Sequence, residues 1–418
     1  MRICVIGAGV VGVTSAYALA SEGHQITLID RLHGPGELTS KANGGQLSYS
    51  YVAPLAGPGV ISNMPGWLLN SDSPLRFRPK LDLHQWRWLL SFLRACNQST
   101  SARSTSEMLT LSALSQTTLH SWQQTLALDF DHKTNGKLII HRDRNSFESA
   151  RKLVDYQARY GSKQSVLSRN EVLALEPSLE QIGHLIAGGV FTEDDEAGDC
   201  HRFTQALFDH LRSDFDLDYR MGTTVKRLVR EQGRIVSAVT DHDVIHADAF
   251  VVANGLACRE LLRPLGCDVP VYGLKGYSLG IPLGESGQTP QISITDYQRR
   301  IVYARIGNTL RAAAMVDIGD ETTDIRPDRM RSLARQVKET FPELEVDQGV
   351  PWAGLRPATP SGKPIVDRTP DTANLWLNIG HGALGFTLAC ATAVLVADKI
   401  SGRPTSIEAR PFELSAHR

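Results

Sequence analysis

The sequence predicts an α/β chain in two parts, a doubly wound parallel layer and a second α+β domain built on a mainly antiparallel sheet. Three observations predict it. A short apolar run opens the chain and breaks into closely spaced glycines, a second glycine cluster near residue 380 follows another apolar run, and strand-like alternation dominates the stretches between them.

Arg2-Ile3-Cys4-Val5-Ile6 reads as a buried strand, Gly7-Ala8-Gly9-Val10-Val11-Gly12 as a turn opening a helix that runs to Ser21, and Gln25-Ile26-Thr27-Leu28-Ile29 as a second strand ending on Asp30. That order is the Rossmann-like dinucleotide-binding unit. Gly7 allows the tight turn, Gly9 lets backbone approach a pyrophosphate, and Gly12 lets the helix pack on the strand. Asp30, with Arg31 beside it, stands where a carboxylate takes a ribose hydroxyl pair; an acid there repels a 2'-phosphate, so FAD or NAD fits better than NADP. Arg2, the apolar run and Ala18-Leu19-Ala20 also imitate a secretory signal with its cleavage site. A signal explains neither the glycine spacing nor the strand ending on Asp30, so the segment is expected in the mature protein.

With 418 residues the chain is long enough for two domains. A net charge of −1 with scattered charges gives no footing for nucleic acid. Six well-separated cysteines without a C-x-x-C pair argue against zinc, an iron–sulfur cluster or a disulfide framework, and for a reducing compartment, the cytoplasm. The apolar stretch 383–397 reads as too short to span a bilayer, which leaves peripheral contact with the inner membrane open.

Residues 39–48, Thr-Ser-Lys-Ala-Asn-Gly-Gly-Gln-Leu-Ser, are small and hydrogen-bonding throughout, suited to a rigid ligand or to a surface turn. This stretch, with Ser40, Asn43, Gly44, Gly45 and Gln46, joins the N-terminal unit, Leu274-Lys275-Gly276-Tyr277-Ser278, Trp352-Ala353-Gly354-Leu355-Arg356-Pro357 and Gly380-His381-Gly382-Ala383-Leu384-Gly385 in one pattern. Together they resemble the bacterial D-amino acid dehydrogenases (small subunit), a branch of the FAD-dependent amine oxidoreductases that includes glycine oxidase and D-amino acid oxidase. The resemblance runs end to end and implies FAD, a D-amino acid substrate and a quinone or other carrier as acceptor. It divides the chain into a cofactor domain of 1–50, 196–262 and 350–410 and a substrate domain of 51–195 and 263–349.

Between these motifs, Trp67, Trp86 and Trp88 lie in a Pro- and Gly-rich segment whose 81–93 stretch fits a core or lid helix. Tyr49 and Tyr51 alternate as in a strand and so both face one cavity. Residues 105–126 and 144–160 read as helices of a substrate-domain scaffold, 136–140 and 188–191 as strands, and Asp199 as the cap of a helix from Cys200. The buried strand 249–253, closing on Ala253-Asn254-Gly255, is expected to return to the first sheet. The resemblance places the backbone at Val225 on the adenine and Ala253, Gly255 and Gly354 along the cofactor. Residues 352–364 read as a loop holding Arg356. Next, 374–379 leads into the second glycine turn, where Gly380, His381, Gly382, Leu384, Gly385, Phe386 and Thr387 meet the flavin at a helix start.

Arg356 is the expected carboxylate anchor, because a guanidinium takes a carboxylate in a bidentate fork. The resemblance implies the same role. Glycine oxidase carries a further arginine near Ala383, which this chain lacks, so Tyr277, Tyr49 or Tyr51 is left to supply a second hydrogen bond. Lys275 is either part of the catalytic set or a satisfied polar group on a strand face. His381 is a base only if it does not simply contact flavin. The implied reaction moves hydride from Cα to flavin N5, after which water releases a 2-oxo acid and ammonia. The alternatives are a glycine, sarcosine, D-proline or D-hydroxyproline oxidase or dehydrogenase on the same fold, or a non-catalytic flavin-binding subunit.

Overall fold

The opening strand sits inside its sheet because both of its faces are apolar. Arg2–Ile6 turns Ile3 and Val5 to one core and Cys4 and Ile6 to another, and Ala249–Val252 alternates the same way beside it. The computed structural model describes residues 1–60, 73–158, 163–284 and 289–417; Trp67 and Tyr160 lie outside the described residues. Six strands form the first sheet in the order Ile365–Arg368, Leu375–Ile379, Ala249–Val252, Arg2–Ile6, Gln25–Asp30, Leu217–Met221. All neighbours are parallel except the first pair.

Helices Val10–Ser21, Gln98–Thr125, Cys200–Asp214 and Gly385–Ser401 cover one face of this sheet. The three-stranded antiparallel sheet Val225–Glu231, Arg234–Thr240, Val244–Ile245 and the helix Cys258–Leu262 cover the other. Asp199 caps its helix as expected, accepting from the backbone N–H of His201 and Arg202 at 2.8 and 3.0 Å.

The second sheet is predominantly antiparallel. Its strands run Val350–Ala358, Tyr272–Pro282, Thr309–Ile318, Ile301–Ile306, Ser293–Asp296, Lys137–His141, Gly188–Thr192, Gln164–Ser168, with the short Leu75–Phe77 also paired to Thr309–Ile318. Helix Pro327–Thr340 packs on it through Leu333 and Val337. Helix Leu83–Ala95 buries Trp88 and Phe92 against Tyr272 and Ala358 at one edge.

Three expectations need correction. Helix Gln98–Thr125 belongs to the core of the first sheet, not to a substrate-domain scaffold: Met108, Leu111 and Leu119 enter that core, and Ser115 Oγ accepts from Ala391 N at 3.3 Å. Small buried serines let it approach Gly385–Ser401 closely. Residues 350–358, assigned above to a loop of the cofactor domain, form an edge strand of the second sheet, where prolines 351 and 357 are tolerated. The segment Gly382–Ser401 is long and apolar enough to cross a membrane, with a mean hydropathy of 1.6, but 67% of that window is buried inside the fold.

Candidate active site

A cavity of about 1550 Å³ runs between the two sheets. At one end the first glycine turn lines it through Gly7, Gly9, Val10 and Val11. Gly7 has φ of +110°, and a Cβ there would lie 2.7 Å from Ala253 O, so only glycine fits between the strands. A Cβ on Gly12 would lie 1.7 Å from Gly7 O, whereas one on Gly9 would meet only Ser40 Oγ at 3.5 Å. The backbone at Gly9 is therefore bare toward the cavity. Asp30 stands beside it, its carboxylate accepting from Ala8 N at 2.7 Å and Leu32 N at 2.9 Å.

Ser40 Oγ accepts from Val10 N at 3.0 Å, which brings the 39–48 segment onto the helix start. Its other end is tied to the second sheet, where Gln46 Nε2 donates to Tyr303 O at 3.1 Å and Ile294 O at 3.3 Å. The segment thus bridges both halves of the cavity.

The second glycine turn closes the wall. Gly380 and Gly382 take φ of +81° and +56°, and helix Gly385–Ser401 then begins with no side chain capping it. Uncapped N–H groups at a helix start favour an electron-rich ligand. Half-buried Asn254 and buried Asn378, both on the cavity wall, each keep a buried amide oxygen with no donor among the described residues. Bare glycine backbone, open N–H groups and unmet acceptors along one elongated cavity fit a dinucleotide.

His381 is in that wall but is committed elsewhere. Its Nε2 is hydrogen-bonded to Thr392 Oγ1 at 3.0 Å, and that hydroxyl also lies 3.2 Å from Ala389 O. Burial holds the imidazole neutral, with a pKa pushed down to about 3. The unfolded chain takes up a proton near pH 6.5 that the fold refuses, so stability is lost as pH falls below that value. By pH 5 the loss attributable to His381 is about 2 kcal/mol. Thermal unfolding of wild type and His381→Asn at pH 7 and pH 5 checks this: the variant is expected to lose less Tm on acidification.

Arg356 lies at the other end. It pairs across strands with Leu274, and its guanidinium crosses Gly276, where a Cβ would meet Nη2 at 2.3 Å. Nη1 donates to Met315 O at 3.0 Å. The register shift opposite Lys275 and Tyr277 goes with left-handed backbone at Met315, φ +68°. Among the described residues no carboxylate reaches Arg356 within ion-pair distance, so its charge faces the cavity. Burial lowers its pKa to about 10, which leaves it charged at neutral pH. Gly276→Ala is expected to push the guanidinium aside and raise KM about tenfold, which steady-state kinetics reads directly.

Tyr277 borders the cavity between Gly276 and Ser278, but its ring lies in the core on the opposite face of the sheet, beside Lys275; its hydroxyl donates to Asp317 at 3.1 Å, and Asp317 accepts from buried Arg329 at 2.5 Å, so the expected hydrogen bond to substrate is not available from it. Tyr51 also lines the cavity. Tyr49 does not: a bend replaces the expected strand because Asp195 accepts from Tyr49 N at 3.0 Å and Ser50 N at 3.4 Å. Its hydroxyl donates to Glu196, which also accepts from His120 and His132. Lys275 is buried behind the sheet and paired with Asp320 at 3.2 Å, the satisfied polar group rather than a cavity residue.

The other residues expected at the cofactor divide by position. Arg31, Asn43, Gly44, Gly45, Val225, Ala253, Gly255, Gly354, Leu384, Phe386 and Thr387 all line the cavity, while Ala8 and Gly12 sit behind it. The sequence reading missed Lys137, Tyr297 and Arg300, which also line it, as does Ser48 at the end of the 39–48 stretch. A lysine inside the otherwise apolar run 137–140 was the available signal.

Such a fold and cavity define an enzyme class that seats a dinucleotide against a small anionic molecule. The chain belongs to the FAD dependent oxidoreductase (DAO) family, which matches residues 2–399. It is 47% identical to D-amino acid dehydrogenase 2 of Ralstonia nicotianae, covering 99% of this chain and 100% of that one. It is also 47% identical to D-amino acid dehydrogenase 2 of Pseudomonas aeruginosa, over 97% and 96%. Among solved structures it is similar in fold to glycine oxidase from Geobacillus kaustophilus, with a TM-score of 0.78, 19% identity and coverage of 100% and 99%. Iminodiacetate oxidase from Chelativorans sp. BNC1 gives a TM-score of 0.75 at 18% identity over 99% of both chains. FAD is accordingly the dinucleotide that this cavity accommodates.

Proposed function

We propose that the protein oxidises D-amino acids to imino acids, which water converts to 2-oxo acids and ammonia, and passes the electrons to a quinone or another carrier. The observation that carries this is Arg356, a cation with no acidic partner among the described residues, aimed into a cavity whose other end suits FAD. The names of the full-length relatives point the same way. Bound FAD supplies the hydride acceptor.

The chain's own residues bind and orient. Arg356, laid over the bare backbone of Gly276, takes the α-carboxylate in its fork. The uncapped start of Gly385–Ser401 lines the cavity and would offer its N–H groups to the negative charge of a reduced flavin. His381 Nε2 is already hydrogen-bonded to Thr392, and no general base is needed for a substrate whose amine arrives neutral. For the acceptor, helix Leu83–Ala95 exposes Leu83, Trp86 and Leu90, with Leu81 before it and Arg87 and Arg94 alongside. That face suits a peripheral membrane contact on the cytoplasmic side.

The test is an anaerobic screen of D- and L-amino acids, glycine, sarcosine and D-proline for bleaching of the flavin spectrum. D-amino acids are expected to bleach it, with quinone reduction and little peroxide on admitting air. A flavin that stays oxidised with every D-amino acid ends the assignment. Rapid peroxide release makes the protein an oxidase instead.

A further inference from the structure

The substrate half of the cavity carries more positive charge than an α-carboxylate needs. Lys137 is 3% exposed and lines the cavity from the strand Lys137–His141. Its Nζ donates to Ser48 Oγ at 2.7 Å and lies 4.4 Å from the centre of the Tyr51 ring. Arg300 reaches the same region from the turn before Ile301–Ile306, in left-handed backbone with φ of +56°. Its guanidinium lies 4.4 Å from the Tyr297 ring centre, and its charge acts on Tyr51. Tyr51 is thus flanked by two cations.

Among the described residues neither cation has a carboxylate within ion-pair distance. Asp195, whose charge reaches Lys137, stands outside the cavity wall. The carboxylates that do line the cavity, Asp30, Glu37 and Glu260, all stand in the half with the first sheet. Asp30 is held by Ala8 N, and Glu37 is paired with Lys41 and His201. A buried lysine facing open space, its nearest acid Asp195 beyond ion-pair distance, is costly unless a ligand supplies the remaining charge.

Spacing calls for an extended bridge. In the order of the second sheet Arg356 is on the first strand and Lys137 on the sixth, but the guanidinium already reaches Met315 on the third. About three strand spacings, or about 14 Å, separate Met315 from Lys137 across the sheet, and the pairing sets Lys137 level with Arg311, four residues or about 13 Å along the strand, so the two backbones stand about 19 Å apart. The long lysine side chain and the distal arm of an extended amino dicarboxylate share that span.

We infer that the preferred substrates are D-amino acids with a side-chain carboxylate, which Arg356 grips at the α-carboxylate while Lys137 and Arg300 take the distal one. This rests on the D-amino acid oxidation proposed above and adds the substrate class. Uncharged D-amino acids would leave Lys137 unpaired, and D-lysine would set like charges together.

The experiment measures kcat/KM for D-glutamate, D-aspartate, D-alanine and D-lysine with the flavin-loaded wild type, Lys137→Met and Arg300→Gln. Wild type is expected to favour an acidic substrate over D-alanine at least tenfold. The acidic-to-alanine ratio is expected to fall about thirtyfold in Lys137→Met and severalfold in Arg300→Gln. A readout without turnover accompanies it: glutarate should perturb the flavin spectrum at least tenfold more tightly than butyrate, and lose that advantage in Lys137→Met. Equal ratios in wild type and Lys137→Met, or no preference of glutarate over butyrate, overturn the inference. Bleaching by neutral D-amino acids but not acidic ones overturns it while leaving the parent reading intact. No bleaching by any D-amino acid overturns both.

Discussion

Replacing Arg356 by Met is expected to lower kcat/KM for a D-amino acid about a thousandfold while the purified protein stays yellow. The magnitude follows from what the guanidinium does. Truncating one side of a desolvated charge pair costs about 2–5 kcal/mol, and at about 1.4 kcal/mol per decade a mid-range loss of about 3.5 kcal/mol is about two and a half decades. Orientation adds to it, because a carboxylate without its fork no longer fixes Cα against the flavin. The cofactor should remain, since Arg356 contacts Met315 O and lies over Gly276, away from the first glycine turn. Arg356→Lys should recover only part of the loss, since an ammonium keeps the charge but not the planar fork. Steady-state kinetics with the flavin spectrum recorded on the same samples decides it. Unchanged kcat/KM in Arg356→Met would remove the residue from substrate binding.

What the chain discloses about this site divides by the range of the forces involved. The first glycine turn was legible because its constraints are local: Gly7 and Gly12 are dictated by atoms within a few residues or by the next strand of the same sheet. The second turn, Gly380 and Gly382 before an apolar helix, was legible for the same reason. Tyr49 misled because alternation suggests a strand, whereas its backbone is held by Asp195, 146 residues away. Residues 350–358 read as a loop because prolines and a glycine suppress strand propensity, and only their place at a sheet edge makes them tolerable. Lys137 was visible as a residue but not as a cavity wall. That property arises from pairing Lys137–His141 with Ser293–Asp296 and from Ser48 and Tyr51 folding over it. The charge balance of the substrate half is therefore a property of the assembled sheet.

Gly12→Ala is expected to yield colourless protein that cannot be reconstituted with FAD. The added Cβ would lie 1.7 Å from Gly7 O and 2.8 Å from Gly7 C, and neither atom is free to move, because Gly7 N donates to Ile29 O at 2.7 Å and the turn presses on Ala253. The helix Val10–Ser21 must then shift off the strand, taking the N–H groups at its start away from the cavity. Overpacking of this kind costs about 1–3 kcal/mol where side chains yield, and more where only backbone can. Tm should fall along with cofactor retention, so Gly12→Ala alone does not separate a lost site from a lost fold. Gly9→Ala separates them: within the protein its Cβ meets only Ser40 Oγ at 3.5 Å, so the unliganded fold should keep its stability. Its FAD affinity is nonetheless expected to drop at least tenfold, because the methyl group occupies space the pyrophosphate requires. Reconstitution titrated by flavin fluorescence, beside thermal unfolding of the apoproteins, reads both quantities. If Gly9→Ala binds FAD as wild type does, the dinucleotide does not approach the backbone at Gly9, and the first glycine turn serves packing alone.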